Sequence, residues 1–394
     1  MFQGEKLKEV RELEGYSRID LADKLGVTQQ AVWQYENEAT EPRIEILNRM
    51  SQLLGVTNQY FFAPDYLRSV ATEEHVAYRS TDQESRKTTK TELTYLNFVD
   101  YYIKFYEQHL LVPESSINAI VSRSEKLLDT EQPRHNHAAI TDTVVNLLAS
   151  KARKWFELTD NRHLMYTLES SGIYIVEKRL GTAVDAYSAH TDDGRYYIIL
   201  GKIKKTAVRR NFDLAHELGH ILMHRRLDLD ELSTEGHRQI EHEANAFAAA
   251  FLIPENELRK DFAKLVRHSN PDYFLDMKQK YLVSYQALGI RAYSLKLMTE
   301  KEFNYFMRQM SRKGYKRFEP LDDKIVPVRP GRIYSLLRLV FDQKIATVTE
   351  LTERFSIKPD FLISLFQLNM DFFERYKPKF NYYGHAAKII PFKR

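Results

Sequence analysis

The stretch FDLAHELGHILMH, residues 212–224, sets two histidines four positions apart around a glutamate. On an α-helix that separation is about 400° of rotation and about 6 Å of rise, so His216 and His220 share a face and can aim both imidazoles at one ion. Glu217 borders the same face, where it can take a proton from a water molecule. Two metal ligands and a general base on one helix are the parts needed for metal-assisted hydrolysis.

A catalytic zinc generally has three protein ligands and keeps one position open. The chain contains no cysteine, so a third ligand must be His, Asp or Glu. The next helical signal, GHRQIEHEANAFAAAFLIPENEL, offers Glu241 with Asn245 four residues later on the same face. Glu241 is thereby placed as a ligand and Asn245 as an amide that orients one. Ala244 and Ala248 are small enough to let this helix lie close to the first. Glu243, His237 and His242 are nearby rivals, and His224 lies one further turn along the motif helix.

The elements that must position these residues are legible in outline. The segment ITDTVVNLLASKARKWFEL predicts a helix, followed by three β-rich runs, GIYIVEK, AVDAYSA and RYYIILG. Asp193-Gly194 marks a tight hairpin between the last two. These runs predict a small, mostly antiparallel sheet packed on helices, after which the motif helix starts near Thr206. Tyr187 and His190, just upstream of the motif, are candidates to stabilise transition-state charge.

The first sixty residues have a different character. Leu7, Val10 and Leu13 follow helical spacing up to Gly15, Ser17 can cap RIDLADKL, and Thr28 can cap QQAVWQYE after the turn at Gly26. Ile44, Leu47, Met50, Leu53 and Leu54 complete an apolar face, giving a bundle of five short helices. LADKLGVTQQAVWQYENEATEPRIEILNRMSQLLGV resembles the phage-repressor (Cro and cI, XRE-type) helix-turn-helix family over about sixty residues. The resemblance implies DNA as partner, with Gln29, Gln30 and Gln34 at the major groove, the cap residue Thr28 among the DNA-binding residues and Arg18 near a phosphate. Glutamine suits base reading, because its amide donates and accepts together.

Charge is distributed awkwardly for that role: the net is −3 over residues 1–62 and +9 over residues 301–394, within a total of +4. DNA affinity is largely electrostatic, so a helix bundle serving as an interaction module is the competing expectation. Near the C-terminus, a basic link with three prolines precedes ELTERFSIKPDFLISL, a second helix-turn-helix pattern. That region is either another nucleic-acid contact or a helical cap on the preceding domain.

FDLAHELGHILMH followed by EHEANAFAAAFLIP also resembles the ImmA/IrrE family of zinc metallopeptidases, over roughly residues 136–300, including YLVSYQALGIRAYSLKLM. The family pattern implies one zinc per chain held by His216, His220 and Glu241, with Glu217 as base. Asn211 departs from it, because an arginine is common there. The family role implies a protein substrate, a helix-turn-helix repressor cleaved in a stress, DNA-damage or mobile-element response.

The expected organisation is α+β and predominantly helical: a helix-turn-helix domain at 1–65, a helical linker at 66–135, a zincin-like peptidase at 136–305 and a basic helical domain at 306–394. No apolar run reaches membrane-spanning length and the start lacks a signal-peptide core, so a cytoplasmic protein without membrane contact, able to pair as a homodimer, is expected. The leading function is a DNA-binding zinc endopeptidase. The alternatives are a non-cleaving regulator that uses the peptidase fold as a sensor and an interaction protein with a structural zinc.

Overall fold

The structure, a computed structural model, describes residues 1–63, 67–71, 83–132, 139–178, 186–201, 206–227 and 232–376. The basic aromatic segment from residue 377 onward lies outside them.

The N-terminal unit comprises α1 (Gly4–Leu13), α2 (Arg18–Leu25), α3 (Gln29–Glu36) and α4 (Ile44–Leu53), with a 3-10 turn at Asn58–Phe62 in place of a fifth α-helix. Ser17 and Asp20 cap α2 reciprocally, Gly26 ends it at φ +69°, and the Thr28 hydroxyl accepts from the amide of Ala31 to start α3. Val10, Leu21, Leu25, Val32, Leu47 and Met50 form its core.

Next comes α5 (Gln83–Glu107), a long helix whose Tyr95, Phe98, Val99, Tyr102 and Tyr106 are buried. Behind it follow α6 (Ile117–Glu131), α7 (Asp142–Trp155), α8 (Leu164–Ser170) and the strands β1 (Tyr174–Lys178), β2 (Ala186–His190) and β3 (Tyr196–Gly201). Five helices complete the central region: α9 (Ala207–Met223), α10 (Thr234–Leu252), α11 (Glu255–Phe262), α12 (Leu275–Tyr281) and α13 (Tyr285–Ser294). The chain continues through α14 (Glu300–Arg312), α15 (Arg332–Asp342), α16 (Val348–Phe355) and α17 (Pro359–Phe366).

The sheet order is β1-β3-β2. β2 and β3 form the expected antiparallel hairpin, with Gly194 at φ +80° in its turn, but β1 pairs with β3 in parallel. The sheet is therefore mixed rather than mostly antiparallel: β1 joins the far side of β3, leaving β3 central. Both faces are covered. Ile175, Tyr196, Ile198 and Leu200 face the core built with α6 to α10, whereas Tyr174, Val176, Tyr187, Tyr197 and Ile199 face α5 and the two ends of the chain. Burial on both faces explains the nearly continuous apolar runs of β1 and β3.

Polar side chains fasten the sheet to α5. Glu92 accepts from the Tyr187 hydroxyl at 2.6 Å and from Lys178 at 2.9 Å, and Asp100 accepts from the Tyr197 hydroxyl at 2.7 Å. The C-terminal helices share the same core. The Thr57 amide donates to the Ser356 carbonyl at 2.8 Å and the Lys358 amide to the Gly55 carbonyl at 2.9 Å, so the turn before α17 pairs with the turn after α4. In α17, Phe361, Leu362, Ile363, Leu365 and Phe366 are buried, so it cannot serve as a groove-reading helix.

Candidate metal and catalytic centre

The centre is built where α9 crosses α10. Leu214, Leu218 and Leu222 hold α9 in the core, and Gly219 permits the crossing: a Cβ there would lie 3.1 Å from the Phe247 ring and 3.4 Å from the Cα of Ala244. Ala244 and Ala248 are fully buried at this contact, as their size predicts.

The crossing gathers His216, His220 and Glu241. Their nearest atoms are separated by 3.1 Å (His216 Nε2 to His220 Nε2), 3.5 Å (His216 Nε2 to Glu241 Oε2) and 3.6 Å (His220 Nε2 to Glu241 Oε1). Four-coordinate zinc with bonds near 2.0–2.2 Å sets adjacent ligand atoms about 3.3–3.6 Å apart, so the three donors fit such an ion. Asn245 Oδ1 lies 3.1 Å from His216 Nδ1 and accepts that nitrogen's proton, leaving Nε2 as the lone-pair atom turned toward Glu241.

Glu217 is buried at 5% exposure, and its Oε2 has no hydrogen-bond partner. Its carboxyl bonds to Ser188 on β2. Burial pushes its pKa up to about 7; His216 and Ser188 oppose that rise, and Glu241 and Asp213 add to it. At His220 burial drives the pKa down to about 4, only partly offset by Glu241, so the ring is neutral as a metal ligand must be. At His216 burial also lowers the pKa, but the Glu241 hydrogen bond and the Glu217 charge outweigh it and leave the net shift upward.

The other candidates separate cleanly. His242 is exposed and lies 3.7 Å from Asp142, and His237 is half-buried; neither joins the three donors. His224 and Glu243 are buried against each other, with 3.0 Å between His224 Nε2 and Glu243 Oε2. Tyr187 does not face the centre, because its hydroxyl is engaged by Glu92 on the opposite side of the sheet. Strand alternation instead turns its neighbour Ser188 toward Glu217, a residue missed in the sequence although the period of two contained it. His190 stacks on Tyr196 with ring centroids 6.2 Å apart. Asn211 donates to the Leu282 carbonyl at 3.3 Å, a packing contact with the turn before α13.

On α3, Gln29 and Gln30 are exposed, Gln34 is half-buried, and Thr28 is exposed while serving as cap. Arg18 does not stand free for a phosphate: its Nε donates to Glu36 at 2.5 Å, and Arg11 binds the other Glu36 oxygen. Trp33, unremarked in the sequence, is 42% exposed on the same helix.

Residues 7–61 match the helix-turn-helix family model and residues 168–293 match the IrrE N-terminal-like domain of the M78 peptidases. The chain joins a helix-turn-helix domain of the DNA-binding regulator type to an IrrE-like, peptidase-like domain. The chain is 40% identical over 57 residues to the SPbeta prophage-derived uncharacterized HTH-type transcriptional regulator YonR of Bacillus subtilis (strain 168). That match takes 14% of this chain and spans about half, 53%, of the relative. The IrrE-like domain contains β1 to β3, α9 and α10, and with them every side chain of the candidate centre. Among the described residues, no helix is long and apolar enough to cross a membrane.

Proposed function

We propose that this chain is a cytoplasmic, DNA-binding zinc endopeptidase that cleaves a helix-turn-helix repressor in a stress, DNA-damage or mobile-element response. The reader lies in residues 1–65 and the peptidase in residues 136–305. The observation that carries the reading is the unpartnered, buried Oε2 of Glu217 beside three donors spaced for a single ion. An orphaned buried carboxylate oxygen is costly, and it is retained where a proton must be taken.

His216, His220 and Glu241 would hold the zinc, which when bound would supply Lewis acidity at the scissile carbonyl and lower the pKa of water. Ser188 engages the Glu217 carboxyl, leaving Oε2 as the atom that removes a proton from the attacking water. The same oxygen then delivers that proton to the leaving amine. Asn245 keeps His216 in the tautomer that binds through Nε2.

The test is to incubate the chain with helix-turn-helix regulators encoded beside its gene, with and without DNA, comparing wild type with Glu217→Gln. Cleavage by wild type and not by the variant supports the reading. A zinc-loaded wild type that cuts none of them supports instead a regulator that uses the peptidase fold as a sensor.

A further inference from the structure

A second set of buried polar groups lies directly behind the ligands. His224 Nδ1 is 2.9 Å from His220 Nδ1, and His224 Nε2 is 3.0 Å from Glu243 Oε2. Glu243 Oε1 accepts from the Ile140 amide at 2.7 Å and from Gln239 Nε2 at 3.0 Å. His224 ends α9 as its capping residue, Glu243 belongs to α10, and Ile140 leads into α7, so three elements converge on this chain of contacts.

Proton placement along the chain has one consistent solution once His220 must offer Nε2 as a lone pair. Its proton is then on Nδ1, which donates to His224 Nδ1. His224 therefore carries its own proton on Nε2, and that N–H donates to Glu243. Glu243 accepts from His224, the Ile140 amide and Gln239, which suits a carboxylate with acceptor capacity alone. The reverse arrangement, with a proton on His224 Nδ1, would force the His220 proton onto Nε2 and block the ligand position.

We infer that His224 and Glu243 are positioning residues which fix the tautomer and ring orientation of His220 and thereby set the affinity of the centre for its metal. The inference rests on the metal-site reading above and assigns a role to two residues outside the ligand set. Partners of this kind typically change metal affinity by about 10- to 100-fold when removed.

Two substitutions separate positioning from packing. An asparagine oxygen can stand where His224 Nδ1 stands and accept from His220, whereas a glutamine amide reaches the Nε2 position and keeps only the bond to Glu243. The full-length chain is titrated with Zn2+ against a competing chelator, and the ring tautomers are read from histidine 15N shifts in the metal-free protein. His224→Asn should bind within a few-fold of wild type and His224→Gln about 10- to 100-fold more weakly, with His220 as the Nδ1–H tautomer in wild type and in His224→Asn. Equal affinities for the two variants, or His220 as the Nε2–H tautomer in metal-free wild type, would overturn the inference. Should both variants fail to fold, the wild-type tautomer and the affinity of Glu243→Gln decide, the latter expected to be weakened and overturning the inference if unchanged. A wild type that binds no zinc while showing the Nδ1–H tautomer would refute the metal-site reading and not the proton arrangement.

Discussion

Helices α3 and α9 both carry polar side chains at helical spacing, but they present them to opposite surroundings. On α3, Gln29 and Gln30 end in solvent, and only Val32 and Glu36 are buried. On α9, His216, Glu217 and His220 turn into protein, and their partners are Asn245, Ser188 and His224. Groups desolvated during folding must be matched then, so their geometry is set before a substrate arrives. Groups left in water are ordered only when a partner binds. A third helix sharpens the contrast. α17 follows the same kind of turn as α3, a left-handed residue and an apolar residue before the new helix, yet its sequence PDFLISLF is buried where QQAVWQYE is open. The turn fixes the path of the backbone, and the apolar content of the second helix decides whether it faces a ligand or the core.

Substitutions can break this contrast in a definite order of size. Glu217→Gln should lower cleavage on the order of 10²- to 10⁴-fold while leaving DNA affinity unchanged; a parallel loss of DNA binding, read by fluorescence anisotropy, would show that the two sites are not separate. Leu362→Ala on α17 should cost about 2–5 kcal/mol of stability in urea unfolding, and a cost below about 1 kcal/mol would mean that α17 is not the core helix described here. Gln29→Ala and Gln30→Ala should each remove about 1–3 kcal/mol of discrimination between specific and random DNA and leave cleavage intact. Unchanged discrimination would favour an interaction module over a DNA reader. The smallest effect concerns Arg18. Held by Glu36, it should contribute little to phosphate binding, so Arg18→Ala should leave the salt dependence of DNA affinity nearly unchanged, whereas a slope reduced by about one unit would mark a true phosphate contact.

What was legible in the sequence follows the same division. His216, Glu217 and His220 could be placed from helical geometry, because i and i+4 share a face wherever the helix lies, whereas Glu241 was singled out from Glu243, His237 and His242 by its pairing with Asn245 and by the family resemblance. Asn245 followed from the same spacing, and the helix-turn-helix from its caps and glycine turn. Ser188, His224 and Glu243 were not assigned these roles, because their roles depend on which strand and helix ends meet the centre across long sequence separations. Tyr187 was placed one residue out of phase, which in a strand is the opposite face. The parallel pairing of β1 was hidden because a strand buried on both faces looks alike in either direction. The negative charge of the N-terminal unit remained ambiguous in the sequence; the structure accounts for one part of it, with Glu36 held between Arg11 and Arg18.

The most direct test of the central claim is the zinc content and affinity of the wild-type chain beside Glu241→Gln and Glu217→Gln, purified in parallel and challenged with a chelator. One zinc per chain in wild type and in Glu217→Gln, with a marked loss in Glu241→Gln, is the predicted result. Equal zinc retention in all three proteins, or none in wild type, would contradict the assignment of His216, His220 and Glu241 as a catalytic metal site.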